Sequence, residues 1–222
     1  MTFISTKKLE KAIDRALLEW LSPLGFHPAE GGGVERRQDA RYDFIGSVVC
    51  KIGGENRISP FGQMGFLDRK KIYSHFMSED RHEPEKFAID ATLKYAHFMK
   101  DWTAEMRCQQ VEDLEDFLNQ LQIFVMERLL PTLMSYDTPR KVVALYINKN
   151  EKDRTSFAPP SWHGYSSALT ALILARLYEP NHYQSLKQRY RGEFEGLDED
   201  KAKRVQQLIQ YLDLSDPLPV IQ

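Results

Sequence analysis

Val111–Asn148, VEDLEDFLNQLQIFVMERLLPTLMSYDTPRKVVALYIN, is the stretch whose reading decides the fold. Leu114, Phe117, Leu118, Leu121, Val125, Leu129 and Leu133 recur at steps of three and four, which gives a helix one apolar face. Asp113, Glu115, Asp116, Asn119, Gln122, Glu127 and Arg128 fall largely off that face. Pro131 stands in the last turn. Tyr136-Asp137-Thr138-Pro139 then reads as a turn, with Thr138 capping a second helix whose first position is Pro139. An amphipathic helix this long must lay its stripe on something. The first half of the chain supplies the partner, a β-sheet.

Outward from this helix, residues 5–24 form another. Leu9, Ile13, Ala16, Leu17, Trp20, Leu21 and Leu24 share a face, Ser5 or Thr6 caps the start, and Pro23 and Gly25 close it. Gly31-Gly32-Gly33 is a flexible turn. Strand signals run from Val34 to about Met77: a weak strand at Val34–Arg37, a strong one at Tyr42–Ile52, a Gly53–Asn56 hairpin connection and a return over Arg57–Leu67. Pro60 removes a ladder donor, which places that strand at an edge or a bulge. Residues 78–85 are a polar loop. Phe87–Ala96 alternates with period two and reads as a strand, and Trp102–Cys108 as a further short one.

Beyond Asn148 a polar run and Pro159-Pro160 mark a loop. Ala168–Tyr178 is a buried helix stopped at Pro180, and two more follow over His182–Tyr190 and Asp198–Leu212. The tail Asp216–Pro219 is extended. Helix, strands, then helices specify a single α+β domain over 1–222. It comprises an N-terminal helix, an antiparallel β-meander, a long amphipathic helix and C-terminal helices packed on one face of the sheet. Residues 1–110 supply the helix and sheet part and 111–222 the helical part.

Composition narrows the function. The 222 residues are 42% hydrophobic and 28% charged, with 11% aromatics and a net charge of -2. Such a balance is that of a globular chain with a sizeable core and lacks the basic excess of a nucleic-acid coat. Two lone cysteines, Cys50 and Cys108, fit buried thiols in a reducing cytosol better than a disulfide framework. The N-terminus carries no apolar h-region, and no window reaches the ~18 apolar residues of a membrane span, so cytoplasm is the expected compartment.

A first helix ending in Leu24-Gly25-Phe26, an extended meander, and a helix ending in Leu129-Leu130-Pro131-Thr132-Leu133 before Tyr136-Asp137-Thr138 form a familiar arrangement. Over residues 5–148 it resembles an uncharacterised bacterial family of small α+β proteins, a domain of unknown function. Some members look like immunity proteins encoded beside polymorphic or contact-delivered toxins. The resemblance implies a cognate toxin as partner and carries no catalytic signature onto positions here. The Gly31–Gly33 turn and the polar loop at 78–85 depart from the pattern.

Candidate chemistry is sparse. His75, Glu79, Asp80, His82 and Glu83, with His97 or Asp101, are the densest set of possible metal ligands, yet their spacing fits no zinc pattern and a solvated loop explains them. Gly31–Gly33 follows a helix and precedes a strand, the reverse of a phosphate cradle. Gly164-Tyr165-Ser166-Ser167-Ala168 lacks the last glycine of a nucleophile elbow. There Ser166 or Ser167 reads as a helix cap, with Trp162 as its staple. Arg36-Arg37, Arg69-Lys70-Lys71 and Lys187–Arg191 read as solvated basic faces.

What remains is surface. The acids Glu112, Asp113, Glu115 and Asp116 complement a helix dipole and offer charge to a basic partner. Trp162, His163 and Tyr165 are aromatic anchors of the kind that dominate binding hot spots. The sequence therefore favours a non-enzymatic cytoplasmic binding protein of the immunity type, one that neutralises a cognate bacterial toxin by occlusion. The expectation includes no catalytic residue, metal or cofactor, and no nucleic-acid or membrane partner, and a homodimer stays open. The alternative is an enzyme, or a small-ligand or metal-binding protein, with a pocket between sheet and helices.

Overall fold

The computed structural model describes residues 2–77, 90–101, 103–148 and 165–214. In chain order the elements are α1 (Thr6–Leu21), β1 (His27–Pro28), β2 (Val34–Gln38), β3 (Arg41–Ile52), β4 (Glu55–Phe66), α2 (Leu67–Met77), β5 (Ala91–Lys94) and α3 (Tyr95–Met99). There follow β6 (Met106–Arg107), α4 (Leu114–Phe124), α5 (Leu130–Ser135), α6 (Pro139–Ile147), α7 (Tyr165–Tyr178), α8 (Pro180–Arg189) and α9 (Glu199–Leu212). The architecture is α+β. The chain folds as two compact units, Met1–Met64 with Ala91–Asp137, and Gly65–Asp90 with Thr138–Gln222.

The first unit is built on an antiparallel sheet of order β1-β2-β3-β4-β5, with β6 also pairing β4. Gly53 and Gly54 join the two long strands with φ values of 60° and 89°. A two-residue hairpin turn of type I′ needs positive φ at both positions, which glycine adopts freely. Along β4, Asn56, Ile58, Pro60, Gly62 and Met64 are buried while Arg57, Ser59, Phe61 and Gln63 are half-exposed. One face of the strand is thus core and the other wet. Leu9, Ile13, Leu17 and Leu21 of α1 are buried, as the periodicity predicts, and Ser5 caps the helix by accepting from the Lys8 amide.

The amphipathic stretch lies on the sheet as expected: a Cβ on Gly62 would stand 3.2 Å from Leu129 Cδ1, with Leu133 beside it. The helix is interrupted, however. Between α4 and α5, Val125–Leu129 opens into a π turn. Pro131 supplies the physical reason, because its ring has no N–H to donate and crowds the carbonyl four residues back. Thr138 has the extended backbone of a cap and Pro139 opens α6, but the Thr138 side chain makes no capping bond.

A buried ionic lock ties this unit together. Asp43 receives Arg36 Nη2 at 2.8 Å and Arg41 Nε at 2.6 Å. Arg41 also donates to the carbonyls of Leu133 and Tyr136, at 2.8 and 2.7 Å. Those oxygens belong to the end of α5, where carbonyls lack helical partners and the dipole favours a cation. Arg36 stacks 4.6 Å from the Phe26 ring centroid.

Several expectations fail here for identifiable reasons. The strand signals do not extend to Met77, because Leu67–Met77 is helix α2. The edge reading of Pro60 fails, since β4 pairs β6 through Ile58 and β5 from Phe61 onward, but Pro60 falls in the gap between those two partners, where its missing ladder donor is not called on. The period-two run yields only the strand Ala91–Lys94 before α3 begins at Tyr95, and Phe87–Ile89 lie outside the described residues. Of Trp102–Cys108, Met106–Arg107 is strand, and Trp102 is outside the described residues.

In the second unit α7 is buried continuously from Ser167 to Arg176. A helix apolar on all sides belongs at the centre of a bundle, and α2, α6, α8 and α9 pack around it. Arg side chains close the helix ends. Arg176 donates to the carbonyls of Leu212, the last residue of α9, and of Leu214 just beyond it, and Arg189 to those of Tyr146 and Ile147 at the end of α6. Asp198 caps α9 by accepting from the Lys201 amide at 2.9 Å.

Candidate functional site

The predicted partner residues fall into two groups. Glu112, Asp113, Glu115 and Asp116 are all exposed at the start of α4 in the first unit. The Asp113 carboxylate accepts from the Gln110 amide at 3.3 Å, and among the described residues none of the four forms an ion pair. Beside them the chain pairs with its N-terminus, Val111 N–H donating to Thr2 O and Phe3 bridging Gln110. Phe3 is 77% exposed and Val111 45%. The surface is therefore four carboxylates next to two uncovered apolar side chains. The acids are exposed as their charge implies, whereas the place of Phe3 is set by a bridge across 107 positions that no local pattern announces.

Trp162 and His163 lie outside the described residues. Tyr165 is the first residue of α7, half-buried, with Lys201 Nζ 5.9 Å from its ring centroid. It belongs to the second unit. Ser166 and Ser167 are not caps, since both lie inside the first turn of α7. Ser167 is buried, and Ser166 Oγ is hydrogen-bonded to Tyr73 OH at 3.0 Å.

The metal candidates are engaged elsewhere where they are described. His97 is buried, and its Nδ1 accepts from the Lys94 amide at 3.2 Å at the start of α3. Asp101 holds the Thr103 amide and hydroxyl, which keeps its carboxyl below the usual range. His75 packs edge-on to Phe76, 4.8 Å between centroids. Glu79, Asp80, His82 and Glu83 lie outside the described residues. Among the described residues no three His, Cys, Asp or Glu side chains come together as metal ligands. The glycine turn is likewise occupied by its own chain: Gly33 N–H donates to Asp14 Oδ1 at 2.8 Å, which takes an amide an anion would need. Nor is it slack, because Gly33 has φ +74° and a Cβ there would meet Ile45 O at 2.7 Å.

One buried polar cluster among the described residues is announced by no local pattern in the sequence. In the second unit Asp90, which falls in the period-two run, and Arg69, expected on a solvated basic face, are 0% and 1% exposed and bonded through Oδ1 and Nε. Asp90 Oδ2 accepts from Phe66 N–H at 2.6 Å, and its carbonyl accepts from Tyr146 OH at 2.8 Å. The Arg69 guanidinium stands 5.6 Å from the Tyr73 ring centroid. Burial pushes the Asp90 carboxyl up to about 6, with Arg69 and the Phe66 amide opposing it. Burial also raises the Tyr146 hydroxyl, aided by the Asp90 charge. A shifted carboxylate is a mark of many active sites. Here both oxygens are spent on the fold and solvent does not reach the pair, so the cluster is a lock at the start of α2. Arg36 is a second basic residue that proves buried, although Arg37, Lys71 and Arg191 are exposed as expected.

No family model, curated protein or solved structure matches this chain. Among the described residues no helix is long and apolar enough to cross a membrane.

Proposed function

We propose that this chain is a non-enzymatic, cytoplasmic binding protein of the immunity type, which neutralises a cognate bacterial toxin by covering it. One observation carries the reading: Glu112, Asp113, Glu115 and Asp116 stand exposed and without ion-pair partners beside exposed Phe3 and Val111. An acidic run without ion-pair partners, with apolar side chains at its margin, suits a basic, partly apolar surface such as a toxin's substrate cleft. Occlusion requires about 800 Å² from each partner, more than these six side chains provide, so they form the centre of a wider contact. The buried Asp90–Arg69 pair supports the same reading, because the most perturbed carboxylate among the described residues is consumed in holding α2.

The test is co-expression with the product of the adjacent gene. A stable complex, with rescue of growth from that product's toxicity, is expected. Absence of both a complex and protection removes the proposal.

A further inference from the structure

A second surface, made of different residues from the acidic one, follows from strand register. β2 pairs β3 only as far as Val34 opposite Ile45. From Ser47 to Ile52, β3 therefore has β4 on one side and, among the described residues, no strand on the other. The two-residue Gly53-Gly54 turn makes Ile52 and Glu55 the hydrogen-bonded closing pair. Every second residue back from it, Cys50 and Val48, then bonds to β4. Ser47, Val49 and Lys51 direct their N–H and C=O groups to the open side. Val48 and Ile52 are 56% and 47% exposed. Lys51 is exposed, with no ion pair among the described residues.

An open edge is a template for another strand. We propose that Ser47–Ile52 accepts an extended segment of a partner protein as a seventh strand. That segment carries apolar side chains at alternate positions, against Val48 and Ile52, and an acidic side chain on the other face beside Lys51. The size of the edge argues against a second folded copy as occupant. Six residues span about 20 Å and a sheet is about 10 Å thick, a strip of about 200 Å². A stable dimer needs about four times that from each subunit. A flexible segment needs only the backbone ladder and two or three side chains. The inference does not depend on the toxin-occlusion reading, since it concerns different residues and any partner with such a segment would satisfy it.

The experiment uses the full chain and a synthetic ten-residue peptide alternating Val with Thr, with one central Thr replaced by Glu. Amide exchange is followed residue by residue by NMR. The expected result is saturable slowing, by about tenfold or more, at Ser47, Val49 and Lys51, with Val48 and Cys50 unchanged because β4 already protects them. A peptide with Lys in place of Glu should bind about twofold to fivefold more weakly, and Lys51→Glu should invert that order while leaving the fold intact. Unchanged exchange at millimolar peptide overturns the proposal. So does protection of the three amides in the free protein, whether constant or rising with protein concentration, since the edge would then be covered by its own chain or by a second copy. Charge-blind peptide binding overturns the assignment of an acidic segment.

Discussion

Tyr146 reaches from α6 to the backbone of Asp90, its hydroxyl donating to that residue's carbonyl at 2.8 Å with both groups out of reach of water. The bond spans 56 positions and fixes the residue whose carboxylate holds α2. Tyr146→Phe keeps the ring and strands a buried carbonyl. The expected loss is about 1–3 kcal/mol, read as a lower urea midpoint with an unchanged m-value. A midpoint equal to that of the native chain would show that the carbonyl finds another donor.

Asp90 gives a pH dependence of unusual sign. Its folded-state pKa is about 6 against an ordinary value of 3.8, so between those values the folded chain holds a proton that the unfolded chain releases. The stabilisation from that proton is complete below about pH 4 and is lost as pH rises through 6. Urea titrations of the native chain and Asp90→Asn across pH 4 to 7 check this. The difference between the two should move against the native chain as pH rises, and a flat difference would exclude the shift.

Asp43 carries the opposite risk, because two guanidiniums depend on it. Asp43→Asn leaves Arg36 and Arg41 charged in an interior with one fewer negative charge. Removing one partner of a buried ion pair costs about 3–5 kcal/mol. Part of this is offset by the Leu133 and Tyr136 carbonyls, which still receive Arg41. A fall in the thermal midpoint of about 6–12 °C is expected, on a scale of roughly 2–4 °C per kcal/mol for a chain of this size. A loss below 3 °C would mean that the helix-end carbonyls carry most of the interaction.

How much of this was legible depends on whether the cause was local. Helix α1 and the existence of the β3–β4 hairpin are readable, since Leu9, Ile13, Leu17 and Leu21 repeat at helical spacing and glycines mark the turn; the connection is shorter than the expected Gly53–Asn56, because β4 already begins at Glu55. Helix α2 was not. Its buried residues are Arg69, Ile72 and Met77, which make no apolar stripe, and its start is held by a carboxylate 24 positions from the Phe66 amide. A separation of 21 positions hides the Asp90–Arg69 lock, because a charged residue in sequence looks solvated until its partner is in place. The π turn was half visible. Pro131 announced a disturbance, but whether a helix stops or widens there depends on what its neighbours pack against, and Leu129 and Leu133 lie on Gly62. The acidic face was legible because exposed charge needs no partner to be recognised; its apolar margin at Phe3 was not.

That acidic face supplies the last prediction, in which stability and function should part company. Glu112→Gln, Asp113→Asn, Glu115→Gln and Asp116→Asn together remove four charges and no buried atom. Their cost to folding comes from lost favour with the α4 dipole, about 1–2 kcal/mol for the set and less in salt. If the face meets a basic cleft, the association rate with the toxin should fall by about tenfold or more at low salt, and the difference should shrink as salt rises. Phe3→Ala, tested alone, should act on dissociation instead, because an apolar anchor contributes after contact is made. Stopped-flow association at two ionic strengths separates the two effects. A quadruple variant that associates at the native rate and still protects cells would show that the toxin is held by another surface.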